Sequence, residues 1–295
     1  MNEYGVAVIG CGDRGSAHAA VWNERTDTRV VSVYDPDGTR ARELAAECGA
    51  RSCQSYQEAI SWEGVSAVSI CVPTSFHSEI TCFAAAHRRH VFCEKPLALT
   101  LGQGQEMLEA VSKAGVVFMP CFQLRDRSPY PQEKELFDRG VLGSPVRFRF
   151  SDIRSVRPKP AMHSRSLNGG VVIDMACHMI DMMRYITGQE PDRVYATGAV
   201  FGGGKTTLSG ISDLAVDEAN IDVSFTGGHR LQMYLNWGLP EGFAGYEEQL
   251  LIGPDGMARL ANGVCVVHTG ENAEELPGES PGSARRIDRF ISAIT

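Results

Sequence analysis

The chain has 295 residues, of which 22% are charged and 43% hydrophobic, and its formal net charge at pH 7 is −8. This length allows two domains with a substantial core, and the composition is that of an ordinary globular protein. The acidic balance argues against a nucleic-acid or acidic-membrane partner, and no apolar run approaches the length of a membrane span.

The cysteines favour a reducing, cytoplasmic location. Nine of them are scattered through mostly apolar segments, and none forms a C-x-x-C pair; they are Cys11, Cys48, Cys53, Cys71, Cys82, Cys93, Cys121, Cys177 and Cys265. An odd number in this arrangement indicates reduced, buried thiols rather than disulfides or a zinc site. A first strand beginning by residue 5 or 6 also leaves no room for a secretory signal peptide.

Strand and helix patterns alternate through the first 120 residues. The predicted strands are 6–10, Thr28–Asp35, Val65–Val72, His90–Cys93 and Val116–Cys121. Predicted helices begin near Ser16 and cover Gly38–Cys48, His77–His87 and Leu101–Ala114. This alternation is typical of an α/β Rossmann domain, a doubly wound parallel sheet with helices on both faces, which we place at residues 1–122.

The pattern changes after about residue 122. Helices are predicted over Pro131–Gly140, Val171–Ile186 and Ala284–Ile294, and a polar surface loop over Glu271–Ser283. Predicted strands are Pro145–Arg154, Arg193–Phe201, Ala219–Phe225, Arg230–Trp237, Glu248–Ile252 and Val264–His268. Residues 123–295 are therefore expected to form an α+β domain on a largely antiparallel open sheet that binds the substrate.

A G-x-G-x-x-G pattern follows the first strand, with its glycines at Gly10, Gly12 and Gly15. In a dinucleotide site the first glycine makes the tight turn, the second admits the pyrophosphate, and the third allows close packing of helix on strand. The pyrophosphate then lies at the helix N-terminus. Asp13 and Arg14, within the same turn, are also predicted to bind the cofactor.

An acid ends the second strand, at the distance expected for a carboxylate that binds the adenosine ribose. Asp35 lies twenty residues beyond Gly15. A carboxylate there repels a 2′-phosphate, so NAD is favoured over NADP. Arg40 or Arg42 could offset that repulsion.

Two further strand ends carry polar residues that the topology should bring to the same edge of the sheet. Pro73, Thr74 and His77 follow the third strand and could line the nicotinamide or its ribose. Thr74 could equally cap the next helix. Glu94 and Lys95 follow the fourth strand and are also predicted to bind the cofactor. A lysine pointing into the cofactor cleft could exchange a proton with substrate.

The helix over Val171–Ile186 carries the candidate general base. Asp174 and His178 are four residues apart and share one helix face, with Asp181 nearly on the same stripe. Histidine titrates near neutral pH and suits proton abstraction. An internally paired helix face is the alternative. The sequence offers no third ligand for zinc, so we predict no metal.

A basic stretch in the second domain could bind the substrate. Arg157 and Arg165 are the candidates, because guanidinium groups suit paired oxygens of a hydroxyl-rich or anionic compound. Solvated strand residues are the default interpretation for such arginines.

Together these motifs resemble the glucose–fructose oxidoreductase/inositol dehydrogenase (Gfo/Idh/MocA) family. The resemblance runs nearly end to end, through Gly10-x-Gly12-x-x-Gly15-x-x-His18, Pro73-Thr74-x-x-His77, Glu94-Lys95-Pro96, Gly169-Gly170-Val171-x-x-Asp174-x-x-x-His178-x-x-Asp181 and Gly188. It implies an NAD(P)-dependent dehydrogenase of a sugar, cyclitol or related polyhydroxy compound. It further implies catalytic roles for Lys95, Asp174 and His178, which would also bind the substrate.

The resemblance leaves other functions open. A redox-neutral enzyme that uses bound NAD transiently, and a non-catalytic dinucleotide-binding regulator, are the alternatives. Family members usually continue with a further helix that packs toward the nucleotide domain, whereas this chain stops at Thr295. The alternating apolar residues of Ile221–Phe225 and Leu231–Leu235 could bury a homodimer or homotetramer interface.

Overall fold

The computed structural model describes residues 4–261, 264–276 and 284–295. The chain divides into two compact units: unit 1 comprises Met1–Cys121 and Ser283–Thr295, and unit 2 comprises Phe122–Gly282. The division falls within one residue of the expected boundary. The C-terminal segment differs from the prediction, since it belongs to the first unit and not to a second domain over 123–295.

Unit 1 is a six-stranded parallel sheet with helices on both faces, as the alternating pattern predicts. Its strands are β1 (Tyr4–Ile9), β2 (Thr28–Tyr34), β3 (Arg51–Ser52), β4 (Val65–Ile70), β5 (His90–Glu94) and β6 (Phe118–Cys121). Its helices are α1 (Asp13–Glu24), α2 (Gly38–Cys48), α3 (Tyr56–Ser61), α4 (His77–Ala86), α5 (Leu101–Ala114) and α8 (Ala284–Ile294). The strand order is β3-β2-β1-β4-β5-β6, with every pair parallel. The predicted Rossmann fold is confirmed.

Two apolar clusters cover the faces of this sheet, and the C-terminal helix belongs to one of them. Ile287, Phe290 and Ile291 of α8 are buried in that cluster together with Trp22 of α1. The Phe290 ring packs edge-on against Trp22, with centroids 5.9 Å apart. Burial of this apolar face against α1 explains why α8 joins the first unit although it follows the second in sequence.

Unit 2 is an α+β arrangement on an eight-stranded open sheet. Its helices are α6 (Tyr130–Asp138) and α7 (Gly170–Thr187). Its strands are β7 (Arg147–Ser155), β8 (Pro191–Ala199), β9 (Glu218–Phe225), β10 (Arg230–Leu239), β11 (Tyr246–Ile252), β12 (Met257–Ala261), β13 (Val264–Thr269) and β14 (Asn272–Leu276). The order is β14-β13-β12-β11-β7-β10-β9-β8, and only the β7–β10 pair of these is parallel. The largely antiparallel sheet is confirmed.

The alternating apolar residues of β9 and β10 do not form the expected oligomer interface. They line the core of unit 2 itself, beneath α7: Ile221, Val223, Phe225, Leu231, Met233 and Leu235. Methionines of α7 such as Met179 and Met182 lie in the same cluster. The apolar stripe of α7 therefore covers this face, and the opposite face carries polar residues such as Asn220 and Gln232.

Four short elements were not predicted: β3, α3, β12 and β14. The expected surface loop over Glu271–Ser283 is a strand in its first part, since β14 pairs with β13 at an exposed sheet edge. The rest of that loop, residues 277–283, lies outside the described residues. Among the described helices, none has both the length and the apolar character that crossing a bilayer requires.

A buried carboxyl on α6 faces β11. Glu133 is 1% exposed, and its Oε1 accepts a hydrogen bond from Gln249 Nε2, with the two atoms 2.6 Å apart. Burial raises the pKa of Glu133 to about 8, although the Gln249 hydrogen bond acts in the opposite direction. The folded protein therefore holds this proton at neutral pH.

This group should make folding stability depend on pH. The unfolded chain loses the proton near pH 4.5 and the folded chain near pH 8, so the free energy of unfolding should fall as pH rises between these values. The contribution is at most about 1.4 kcal/mol per pH unit. Glu133→Gln removes it, so urea unfolding from pH 5 to 8 should show the variant gaining stability relative to the wild type as pH rises. A difference that does not change with pH would contradict this assignment.

Candidate active site

The glycine turn between β1 and α1 has an open surface and a closely packed one. A Cβ on Gly15 would lie 1.8 Å from the carbonyl oxygen of Gly10, so α1 packs on the end of β1 as expected of the third glycine. Gly10 itself has φ of +93°, which favours glycine. A Cβ on Gly12 would meet no described atom within 4 Å. The backbone is thus accessible at Gly12, where the pattern places a pyrophosphate.

The first turn of α1 fits an anion. Its N-cap is Gly12, which has no side chain to accept from the first backbone N–H groups. Unbonded N–H groups and the helix dipole favour negative charge at such a terminus. Asp13 and Arg14 occupy the first helical positions with exposed side chains. The residues present therefore fit a dinucleotide pyrophosphate.

Asp35 lies at the carboxyl end of β2, beside the glycine turn. Its Oδ2 accepts from the backbone N–H of Cys11, with the atoms 2.7 Å apart, and its Oδ1 accepts from Asp37 N at 2.8 Å. These bonds hold the carboxylate at the edge where a ribose would bind. The two arginines that could offset its charge have other partners: Arg40 pairs with Asp37, and Arg42 donates to Thr39 Oγ1.

The turn after β4 has a structural role that the sequence prediction missed. His77 is 1% exposed; its Nδ1 lies 2.9 Å from the carbonyl oxygen of Pro96 and its Nε2 lies 3.0 Å from that of Val72. Both ring nitrogens already have backbone partners, and the predicted cofactor contact of His77 stays a prediction. His77 links the turn after β4 to the turn after β5. Pro73 is exposed at this edge and Thr74 is buried, and neither helix here has a side-chain cap.

A buried histidine–carboxylate pair lies next to Lys95, at the end of β5. His18 Nε2 and Glu94 Oε1 are 3.2 Å apart, and His18 Nδ1 lies 2.9 Å from Ser69 Oγ. Glu94 Oε2 also accepts from the backbone N–H of Lys95 at 3.1 Å. Burial raises the pKa of Glu94, but the hydrogen bond and charge of His18, with the charge of Arg14, outweigh it and lower the pKa to about 2. Glu94 is an anion at neutral pH.

Sequence reasoning singled out Glu94 but gave His18 no role. The signals for His18 were its place at the end of the glycine motif shared with the family and its position one turn after Gly15, where it is buried. His18, Glu94 and Cys121 also have potential metal-ligand atoms within 4.8 Å of one another, all three side chains being buried. The hydrogen bonds of His18 to Glu94 and Ser69 already account for its ring.

In unit 2, the start of α7 packs closely on the chain before β9, and this positions its two candidate catalytic residues. A Cβ on Gly170 would lie 2.5 Å from the Cβ of Ala215, so the glycine permits this close approach. Asp174 and His178 are 6% and 4% exposed. Asp174 Oδ1 accepts from Asn168 Nδ2 at 3.2 Å. The two side chains lie one helical turn apart on the same face of α7.

The third residue of this stripe is held by an arginine. Asp181 accepts two hydrogen bonds from Arg125, at 2.8 Å from Nε and 2.6 Å from Nη2. Such a bidentate pair fixes geometry as well as charge. Phe122, three residues before Arg125, places its ring edge-on to His178 with centroids 6.2 Å apart. The segment 122–126 therefore packs along α7 and restricts the His178 imidazole.

The structure separates the two predicted substrate arginines. Arg157 follows β7 and lines a cavity in unit 2. Arg165 is exposed, and its guanidinium has a long contact of 3.5 Å to the carbonyl oxygen of Leu214. Arg165 does not line that cavity, so the structure gives no support to its predicted role.

Two alanine substitutions in the glycine turn should affect different properties, one the affinity for NAD and the other the folding stability. Gly12→Ala places a methyl group in open space, so the folding stability should be unchanged while the affinity for NAD falls at least about tenfold. Gly15→Ala overlaps the Gly10 carbonyl and should lower the free energy of unfolding by about 1–3 kcal/mol. Thermal unfolding and calorimetric titration with NAD measure both. Tight NAD binding by Gly12→Ala would show that the pyrophosphate lies elsewhere.

The chain is similar in sequence to curated relatives and in fold to solved structures. The chain is 34% identical to myo-inositol 2-dehydrogenase of Thermotoga maritima over 72% of this chain and 63% of that protein. It is 31% identical to scyllo-inositol 2-dehydrogenase (NAD(+)) of Bacillus subtilis over 66% of this chain and 57% of that protein. The chain thus spans less than two thirds of either relative. A crystal structure of GenD2 from gentamicin A biosynthesis in complex with NAD has a TM-score of 0.82 and 25% identity, covering 100% of this chain and 87% of that one.

Two family models divide the chain much as the structure does. One, described as oxidoreductase family, NAD-binding Rossmann fold, matches residues 4–122. The other, the GFO/IDH/MocA C-terminal domain, matches residues 130–259. Because the two together match most of the chain, it belongs to the Gfo/Idh/MocA oxidoreductase family, with an NAD-binding Rossmann domain as its first unit.

Proposed function

We propose that this protein is an NAD-dependent dehydrogenase that transfers a hydride between the nicotinamide and a hydroxyl-bearing carbon of a sugar, cyclitol or related polyhydroxy compound. The observation that carries the proposal is the buried Asp174–His178 pair on one face of α7. A histidine beside a carboxylate is suited to general base catalysis. The inositol dehydrogenase names of the relatives support the substrate class.

In the proposed reaction, each candidate residue has a separate role. NAD, when bound, supplies the hydride acceptor. His178 accepts the proton of the substrate hydroxyl, and Asp174 orients His178 and binds a neighbouring hydroxyl. Lys95 binds the oxygen that becomes the carbonyl and assists departure of its proton. Asp35 binds the adenosine ribose and disfavours a 2′-phosphate, which is why we propose NAD rather than NADP.

The remaining cofactor contacts follow from the edge of the sheet in unit 1. Gly10, Gly12 and Gly15 hold the pyrophosphate, with Asp13 and Arg14 flanking it. We place Pro73 and Thr74 toward the nicotinamide half of NAD, and we assign the Glu94 anion to the same half. A fixed negative charge there favours the cationic, oxidised nicotinamide over the reduced one.

We further propose that the protein is a cytoplasmic homodimer or homotetramer. All nine cysteines are free thiols, which suits a reducing compartment. The edge strand β8 is exposed along its whole length, with Val194 and Tyr195 68% and 73% exposed. Exposed apolar side chains on an unpaired edge are typical of an interface. A single species of monomer mass in solution would contradict the oligomer.

The proposal is tested by following NAD reduction with purified protein and a panel of aldoses, inositols and sugar acids. We expect NADH formation with one substrate class, and less activity with NADP. Cofactor that remains bound without net NADH would indicate a redox-neutral enzyme. Bound NAD with no chemistry on any compound would indicate a regulator, and either result would contradict the dehydrogenase.

Lys95→Met should lower turnover at least about a hundredfold, because it removes the cation that binds the reacting oxygen. Its affinity for NAD should stay within about threefold of the wild-type value, since the glycine turn and Asp35 are unchanged. Lys113→Met, an exposed lysine of α5, is the matched control and should behave as wild type. Steady-state kinetics and calorimetric titration measure both quantities. Wild-type turnover by Lys95→Met would remove Lys95 from the active site.

A further inference from the structure

A cavity of about 430 Å³ lies at the carboxyl end of β7 in unit 2. Residues 152 and 154–158 form one wall, and residues 243–247, from the turn after β10 and the start of β11, form the other. Phe243 and Tyr246 of the second wall are 43% and 49% exposed. The volume is within the range of small-molecule sites, and such aromatic rings can pack against the apolar face of a sugar.

One of the two arginines in this cavity is already neutralised. Arg154 Nε lies 2.5 Å from Asp152 Oδ1, and its Nη2 lies 3.1 Å from Glu247 Oε2. The other oxygen of Asp152 accepts from Trp237 Nε1 at 2.8 Å. Arg154 therefore forms ion pairs with two carboxylates of the protein itself, and Asp152 holds the indole of Trp237 by a hydrogen bond.

The second arginine has no such partner. The guanidinium carbon of Arg157 lies 5.4 Å from the ring centroid of Trp237, and its backbone N–H donates to His163 Nε2 at 2.9 Å. Its Nε is buried without a hydrogen-bond acceptor. Across residues 4–261, 264–276 and 284–295, no carboxylate forms an ion pair with it. A guanidinium held in place on an indole, with donors left over, is prepared for an acceptor from outside the chain.

The segment after Arg157 contacts α7, the helix that carries the candidate base His178. His163, which accepts from Arg157, ends the short 3-10 turn Pro160–His163, and that turn packs against α7. The His163 ring also contacts Trp237, with centroids 6.5 Å apart. Arg157 is therefore linked through His163 to a turn that packs on α7, the helix that carries Asp174 and His178.

We propose that this cavity binds the acidic group of the substrate, a carboxylate or a phosphate, and that Arg157 is its cation. This rests on the proposed function and narrows the substrate to an acidic sugar or a sugar phosphate. A guanidinium forms two parallel, charge-assisted hydrogen bonds with either group and none of equal strength with a neutral hydroxymethyl. Arg157 thereby sets specificity for the charged compound over its neutral analogue.

The test is direct binding to the NAD-loaded protein, by calorimetry and by tryptophan fluorescence. The probes are D-glucuronate, D-glucose 6-phosphate and D-glucose, which differ in the group on the last carbon. We expect one of the two acids to bind at least about tenfold more tightly than glucose. Which acid binds distinguishes the carboxylate from the phosphate. Equal affinity for all three probes, or binding of neither acid, would overturn the proposal.

Variants assign the effect to the residue. Arg157→Met should weaken acid binding at least about tenfold and leave glucose binding within about threefold, whereas Arg157→Lys should retain part of the preference. Arg149→Met, an exposed arginine of the same strand β7 outside the cavity lining, is the control and should match the wild type. Equal loss in Arg149→Met and Arg157→Met would show a general charge effect and overturn the proposal.

The readout separates this inference from the function on which it rests. A protein that reduces NAD with neutral sugars and binds all three probes alike would retain the dehydrogenase function and lose the acid site. A protein that binds an acid through Arg157 but never reduces NAD would retain the site and lose the dehydrogenase function.

Discussion

The parallel pairing of β1 with β2 on one side and with β4 on the other is the constraint on which the cofactor site depends. Parallel neighbours end at the same edge, so the turns after these strands must meet there. That edge collects Gly10, Asp35 and Pro73 from strands that are far apart in sequence. The bond from Cys11 N–H to the Asp35 carboxylate ties the first two turns together. The pairing of β5 with β4 brings Glu94 and Lys95 to the same edge.

In unit 2, the largely apolar helix α7 holds two buried polar side chains, Asp174 and His178. The methionine-rich stripe of α7 is buried on the sheet, and this orients the adjacent stripe of Asp174 and His178. Arg125 neutralises Asp181, the next acid on that stripe. A buried carboxylate is tolerated when a cation pairs with it, so α7 can carry Asp181 without losing its packing.

The sequence predicted the fold well where burial is regular. The strands of unit 1 are near-continuous apolar runs, which mark buried parallel strands in a sequence. The helix α5 begins with a complete capping box from Thr100 to Gln103, which marks a helix start. The missed strands β12 and β14 are short or exposed, and exposure removes the alternation that marks a strand. The helix α8 was predicted correctly in extent, but only its buried face shows that it packs in unit 1.

Spacing alone predicted the glycine turn, Asp35 and the shared helix face of Asp174 and His178, whereas the catalytic roles of Lys95, Asp174 and His178 rested on the family resemblance and stay a prediction. The hydrogen bonds of His77 and the pairing of His18 with Glu94 could not be predicted, because their partners are distant in sequence. The partners of His77 are backbone carbonyls, which no residue type in the sequence indicates. Arg157 and Arg165 could not be told apart either. Only the structure shows that one lines a cavity without a carboxylate partner while the other is exposed.

The central claim is that the glycine turn and Asp35 hold NAD by its pyrophosphate and adenosine ribose. Calorimetric titration of the purified protein with NAD and, in parallel, with NADP tests it most directly. We expect NAD to bind to one site per chain and at least about tenfold more tightly than NADP, because the Asp35 carboxylate repels the 2′-phosphate. Equal or tighter binding of NADP, or binding of neither dinucleotide, would contradict it.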